Sequence, residues 1–352
     1  VAERSETVTL TVDGMRHDGW TDIEITRAID AMVGTFRLEL TERGADRSTA
    51  FPLEAGAACT VSIGDEVVIT GWIDQLGPVL EAQTHTITIS GRDRAADLVD
   101  CSAIAIPGSW RDTRIEQIAA ELARPFNLTV IARADTGPAL RRFALQQGET
   151  VQAALERLCR FAGLLAISTP EGNVELIEPE RSGAIERIEE GVNLLGGSAA
   201  HDVSQRYSDY LVKGQASGDD TASGKTVSQP KASAKDPAVR RYRPLLLIAE
   251  DQATSANLER RVAWEASVRA GRAQPITIRA AGWRRPDGQL RAPNTIVAVT
   301  APSLFAAGEL LVQSVRLTQG AAGTLSELEC VPPAAWSQLA VPETAQASRI
   351  AS

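Results

Sequence analysis

Several things are scarce in this 352-residue chain. No stretch reaches the roughly 18–20 consecutive apolar residues that a membrane helix needs, so no span is expected. Histidine is rare: His17, His85 and His201 are far apart and none has a partner at metal-ligand spacing. His-Glu-x-x-His, Gly-x-Ser-x-Gly and P-loop strings are missing, which removes the enzymes recognised by those motifs. No catalytic, metal or cofactor site is expected. Cysteine is limited to Cys59, Cys101, Cys159 and Cys330, with no Cys-x-x-Cys, so all four are expected to be reduced, buried small hydrophobes. A basic surplus is also absent: the net charge of -9 argues against general nucleic-acid binding but leaves room for a local basic lining. The first residues, Val-Ala-Glu-Arg-Ser-Glu, lack the basic-then-apolar layout of a signal peptide, which argues against export by that route. Lysine occurs only at Lys213, Lys225, Lys231 and Lys235, and arginine serves everywhere else. Arginine suits bidentate pairing at interfaces; a GC-rich genome gives the same bias without a structural cause.

What is present is apolar content (43%) sufficient for the cores of two or three domains, and a hairpin pattern written twice. The first copy is Cys59–Ile63, a Gly64-Asp65 turn, Val67 and Ile69, Gly71-Trp-Ile73, and a closing strand through Ile87 and Ile89. The second is Ile296–Val299, an Ala301-Pro302 break, Leu304-Phe305, Gly308–Val312, and a closing strand through Leu325, Leu328 and Cys330. Short alternating strands joined by Gly, Pro or Asp turns predict small antiparallel barrels. Duplication explains the pair, and so does accidental likeness between two ordinary meanders. If duplicated, each chain offers two modules and a trimer offers six.

The expected fold class is mainly β with an α/β insert: two similar antiparallel β-barrel modules plus a small α/β domain. Residues 1–104 alternate through Val8, Leu10 and Val12, turn at Asp13-Gly14, and resume at Phe36, Leu38 and Leu40, giving the first module. Residues 105–180 form the insert, with one helix capped by Thr113 and ending before Pro125, and a second following Thr150 and closing at Gly163. A hairpin then joins Leu164–Ile167 to Val174–Ile177 through a turn at 169–173. Residues 181–212 return as β. Residues 213–239, poor in large aliphatics, are expected to be a flexible loop. Residues 240–335 form the second module with one helix, capped at Thr254 or Ser255 and carrying Leu258, Val262 and Trp264, and 336–352 a tail, frayed from about Pro342.

The remaining chemical signals are weak. Asp93, Asp97 and Asp100 sit at helix-turn spacing, where they either cluster carboxylates or simply cap and pair with Arg92 and Arg94. Gly148-Glu-Thr150 is similar to the start of peptidoglycan-binding LysM modules and is equally a plain helix cap. Among the tryptophans, Trp72, Trp264 and Trp283 are expected to be structural or interface anchors, together with Arg92 and Asp93.

Several strings together resemble the baseplate hub proteins of Mu-like phages. They are Gly71-Trp-Ile-Asp, then Ile87-Thr-Ile-Ser-Gly-Arg-Asp-Arg-Ala-Ala-Asp-Leu-Val-Asp-Cys-Ser-Ala103, Arg241-Tyr-Arg-Pro-Leu245, Arg261-Val-Ala-Trp-Glu265, Gly282-Trp283, Asp287-Gly-Gln-Leu290 and Ala292-Pro-Asn294. They run in the family's order from about residue 8 to 335. The family's usual Leu-Trp before Ala-Pro-Asn is here Leu290-Arg291. The resemblance implies a non-enzymatic hub of a contractile tail, similar to the central hub of T-even phages. It implies a homotrimer with two β modules per chain, forming a pseudo-six-fold ring around a channel. Its implied partners are itself, the tail tube protein, the central spike protein, baseplate wedge proteins and the tape-measure protein, with DNA only in transit. Its place would be the virion tail, assembled in the host cytoplasm. Two other readings stand beside it: a peptidoglycan-binding or muralytic tail protein, which requires a sugar cleft with two exposed acidic residues in 105–180, and the hub of a headless phage-tail-like particle.

Overall fold

The computed structural model describes residues 6–43, 53–82, 84–213, 231–248 and 255–337. The first β stretch carries β1 (Val8–Val12), β2 (Met15–His17), β3 (Asp22–Ala28), β4 (Thr35–Arg43), β5 (Ala58–Ile63), β6 (Glu66–Leu80) and β7 (Thr84–Asp93). Alternation is the cause: Val8, Leu10 and Val12 of β1 and Val61 and Ile63 of β5 point into one core. Asp13 and Gly14 both take positive φ (50° and 78°), the two-residue turn whose twist matches that of the strands it joins.

The insert follows with α1 (Ala96–Asp100), β8 (Ser109–Trp110), α2 (Ile115–Ala123), β9 (Val130–Ala132), β10 (Phe143–Ala144), α3 (Val151–Ala162), β11 (Leu165–Ser168) and β12 (Val174–Ile177). Helices α2 and α3 bury Ile115, Ile118, Leu122, Leu155 and Leu158 against the underside of β9 and β12, a core separate from the main sheet. Thr150 caps α3 by accepting from the Ala153 N–H, and Gly163 closes it at φ 70°. The cap expected at Thr113 is one residue off. Arg114 is the N-cap, its N–H held by the Gln117 side chain, while the Thr113 hydroxyl donates to the Arg111 carbonyl.

The rest comprises β13 (Glu186–Glu189), β14 (Leu194–Ala199), β15 (Asp209–Lys213), β16 (Lys231–Lys235), β17 (Pro244–Ile248), α4 (Ser255–Arg272), β18 (Ile276–Ala281), β19 (Thr295–Ala301), β20 (Ala306–Gly320) and β21 (Gly323–Val331). The expected flexible loop is corrected at its end. Residues 231–235 are a strand paired with β15, and Asp236 beyond it is buried in a two-pronged pair with Arg206 (2.8 and 2.9 Å). The remainder of that stretch, 214–230, lies outside the described residues, as does the tail from 338. Composition misjudged 231–236 because alanines and an ion pair, not large aliphatics, seat it against α4. Trp336 and Ser337, assigned to the tail, belong to the fold: Trp336 donates to the Gln313 side chain at 3.1 Å.

The two separate barrels are also corrected. One sheet runs β14-β18-β21-β20-β3-β4-β7-β6-β5-β1-β2, with β19 on β20 and β13 on β19, and it does not close on itself. The reason is strand length. At fifteen residues, β20 pairs with β19 through its first half and with β3 through its second, while β21 lines its other side. The two meanders therefore merge over one core, shared by Leu10, Ile69 and Ile89 from one and Val299, Val312 and Leu328 from the other.

Candidate functional site

Among the described residues no metal-binding cluster gathers, and the candidate sites are the junctions between elements and the uncovered surfaces. At the first junction the antiparallel β3–β20 ladder runs from Ser314↔Ala28 to Gln319↔Ile23. Arg316 reaches Glu24 at 2.6 Å, and Arg284 reaches Glu66 at 2.5 Å, so the first half supplies both carboxylates and the second half both arginines. At 11% exposure Arg284 is sheltered enough for that pairing to matter more than a surface ion pair does.

A second junction ties the insert to the sheet, and it is built from the Gly91-Arg-Asp-Arg94 string. Gly91 is forced by close approach: a side chain there would meet the Trp72 carbonyl at 2.1 Å and the Phe36 ring at 2.6 Å. Gly71 is forced likewise, 1.8 Å from the Arg92 carbonyl. Asp93 is buried and accepts from the N–H groups of Gly34 (2.6 Å) and Ala95 (3.0 Å) and from the Ser168 hydroxyl. Burial pushes its carboxyl above the ordinary range, against those bonds and the nearby Arg27. Arg27 in turn donates to the Ser168 carbonyl at 2.6 Å. One carboxylate thus joins β4's leading turn, the start of α1 and the insert's β11. Arg92 holds Asp74 and Asp100 (2.7 and 2.8 Å), so of the three aspartates one caps and one pairs. Arg94 bonds the Asn127 carbonyl, not a carboxylate.

The three tryptophans differ. Trp283 is fully buried, its indole N–H donating to the Thr318 carbonyl at 3.0 Å, and it anchors the shared core. Trp264 on α4 is half-buried, stacked under Arg261 and bonded to the Ser337 carbonyl at 2.5 Å. Trp72 is half-buried on the face of the sheet that points away from the core.

Sequence reasoning treated Arg291 only as a departure from a family pattern. It is 8% exposed, paired with the 1% exposed Glu186 at 2.8 Å, and donates also to Ala281, Gly282 and Ser326. Nothing in a single sequence matches Glu186 to a partner 105 positions away. The cysteine expectation is corrected at one position: Cys101, just past α1, is exposed, whereas burial pushes the Cys59 and Cys159 thiols up to about 12.

Between insert and sheet lies a groove of about 390 Å³ lined by Arg27, Arg133, Glu171, Glu175 and residues 292–294. Glu175 is engaged by Arg133 at 2.6 Å and Glu149 by Arg157 at 2.8 Å, so these acids serve ion pairs. Among the described residues no three His, Cys, Asp or Glu side chains gather as a metal site, and no helix is long and apolar enough to cross a membrane.

Family models match in chain order. Residues 7–93 match the Mu phage baseplate assembly protein GpP-like N-terminal domain, and 95–178 the baseplate hub protein gp44-like second domain. Residues 206–263 match the tail protein NMB1110-like third domain, and 254–338 the Mu phage baseplate assembly protein GpP fourth domain. The baseplate hub protein gp44 of Escherichia phage Mu is 36% identical over 323 residues, spanning 89% of this chain and 84% of its own. The 43 kDa tail protein of prophage MuSo2 from Shewanella oneidensis superposes with a TM-score of 0.85 at 33% identity, covering 95% of this chain and all of that one (100%). A tail protein from Neisseria meningitidis MC58 shares the fold, with a TM-score of 0.79 at 23% identity over 96% of this chain and 99% of its own.

Proposed function

The chain belongs to the Mu-like phage baseplate hub proteins, structural components of the phage tail and not enzymes, and from that premise we propose that it acts as a homotrimeric ring. The ring adapts a six-fold tail tube to a three-fold central spike in a contractile tail. Its partners are the tube protein on one side, the spike on the other, wedge proteins around the rim and the tape-measure protein, with DNA passing through a central channel. One observation carries this reading: each chain holds two meanders built to one plan, β5–β6–β7 and β19–β20–β21, each around a fifteen-residue central strand. Three chains then present six like units, and head-to-tail contacts can close without leaving free edges. Phosphates must pass and be released, so the channel wall is mixed or mildly basic and the acidic excess lies outside.

Light scattering of the purified protein at high concentration tests the ring, with about three times the 37.5 kDa chain mass expected. Averaged images of assembled particles should show three-fold symmetry with units repeating at about 60°. A stable monomer or two-fold dimer, together with no three-fold symmetry in particles, would overturn it.

A further inference from the structure

The β6–β7 and β20–β21 ladders share one pairing register, and the match exposes two edges that lack the strand their counterparts have. Position 73 of β6 answers to 312 of β20, and 91 of β7 to 330 of β21, a constant offset of 239. Both central strands carry a bulge at the same place, between Ile73 and Gln75 and between Val312 and Ser314. On the same plan β18 answers to β4, since Ile276 sits opposite Cys330 as Phe36 sits opposite Gly91. The strand beyond is β14 in one case and β3 in the other: Gly197 pairs with Ile278 as Ile23 pairs with Leu38.

Within the chain β3 seats on the second half of β20 and buries Val315 and Leu317. The corresponding half of β6, Gln75–Leu80, has β7 on one side and no described strand on the other. It is exposed, Val79 by 54% and Leu80 by 66%. Among the described residues β14 has β18 as its one strand partner, besides a single bridge from Leu194 to Glu190, and Leu195 and Phe305 beside it are exposed. The backbone directions agree. Ala200 and Asp202 donate inward to the carbonyls of Pro275 and Ala273, so the alternate groups of Gly197, Ala199 and His201 face outward. On β20 the Gln313 carbonyl accepts from Ile29, so alternate residues 315, 317 and 319 face β3. Their counterparts on β6 are Leu76, Pro78 and Leu80. Proline at 78 has its missing N–H on the open side, where it spares the β6–β7 ladder.

We infer that Gln75–Leu80 of one chain and Gly197–Asp202 of a second copy form the ladder between subunits, antiparallel, in the register Gln75↔Asp202, Val79↔Ser198, Leu80↔Gly197. The occupant is a second copy because the chain already contains this interface once, between β20 and β3. The inference rests on the trimeric ring and names the surface that closes it. Pro78 leaves one donor fewer than the internal ladder, and the carbonyls on that edge still accept. The apolar side chains of Val79 and Leu80 leave water on docking.

Disulfide trapping tests the register. Val79 and Ser198 would form a non-hydrogen-bonded pair, with Cα atoms about 4.5 Å apart and within disulfide reach. In a Cys101→Ser background, Val79→Cys with Ser198→Cys should oxidise to covalent dimers and closed trimers. Either single variant, or Val79→Cys with Ser204→Cys, should remain at chain mass. A charge pair gives an independent readout at two exposed positions. Val79→Glu with Ser198→Glu should raise the concentration for half-dissociation by up to about fivefold per interface, and Val79→Lys with Ser198→Glu should recover it. A trimer by light scattering that neither cross-links in this register nor responds to the charge pair overturns the edge pairing and leaves the ring standing. A monomer or two-fold dimer at high concentration, together with no three-fold symmetry in particles, overturns both.

Discussion

The two meanders share a plan and differ in what covers them. On the face away from the core, Ile296, Leu311 and Val331 of the second meander lie under Ile29, Ile167, Ile177 and Ala335 and are buried. The counterparts in the first meander are Trp72 and Arg92 by the same offset, and Ala58, which pairs with Trp72 as Ile296 pairs with Leu311; all three are exposed or half-buried. One face has been converted to core by the insert's hairpin and the Pro333–Trp336 turn. The other keeps an indole and a guanidinium facing outward, residue types suited to a partner's surface. The strand plan fixes the architecture, and the residues on its back decide whether a copy is finished inside the chain.

The largest expected effect strikes the finished copy. Arg291→Ala leaves Glu186 buried without its cation beneath the second meander and should cost about 3–5 kcal/mol in urea unfolding. Among the described residues the first meander shows no equivalent pair, β1 being joined to β5 through apolar Val8, Leu10 and Val12. A loss below about 1 kcal/mol would mean the pair is solvated.

Next comes a matched pair of truncations. Leu311→Ala should cost about 2–5 kcal/mol. Trp72→Ala, at the corresponding site, should cost less than Leu311→Ala in the isolated chain despite the larger side chain removed, and should weaken assembly instead. Equal losses in monomer stability would erase the distinction between covered and uncovered faces.

A smaller effect separates the ends of the two meanders by pH. The first ends at Asp93, whose carboxyl is held above its ordinary value by burial; the second ends at Pro332, which does not titrate. A raised carboxyl binds its proton more tightly folded than unfolded. Its contribution is therefore complete below the unfolded value, about 4, and is lost as pH rises through the folded value. Wild-type urea midpoints measured from pH 4 upward should fall relative to those of Asp93→Asn. A flat difference would remove Asp93 from the linkage. The smallest effect is Pro78→Leu, which installs the residue found at the covered position 317. It should change monomer stability by less than about 0.5 kcal/mol and tighten assembly by restoring one edge donor.

Much of this was legible in the sequence because it is local. Period-two alternation marked β1, β5 and β12, and Thr150 and Gly163 bounded α3 correctly, since capping depends on neighbours along the chain. The repeated hairpin was legible for the same reason. What escaped depended on distant partners. Glu186 and Arg291, or Arg206 and Asp236, look like ordinary surface charges until the fold brings them together. The merged sheet escaped because alternation gives a strand's faces and not its neighbours, and only the length of β20 hinted at three partners. Of the anchors named from sequence, Arg92 and Asp93 bond elements of the same chain, Trp283 lies inside the core, Trp264 is half-buried on α4, and Trp72 lies beside Arg92 on the outward face of the first meander.

The bulges at Asp74 and Gln313 have a further consequence. An extra residue in a strand adds local twist and bends it, so in the proposed ring each bulge would act as a hinge pin at which one unit turns toward the next. A change confined to one pin would make alternate corners unequal and stop the circle from meeting its own start. In the proposed ring, a residue gained or lost in one long strand would therefore call for the same change 239 positions along the chain.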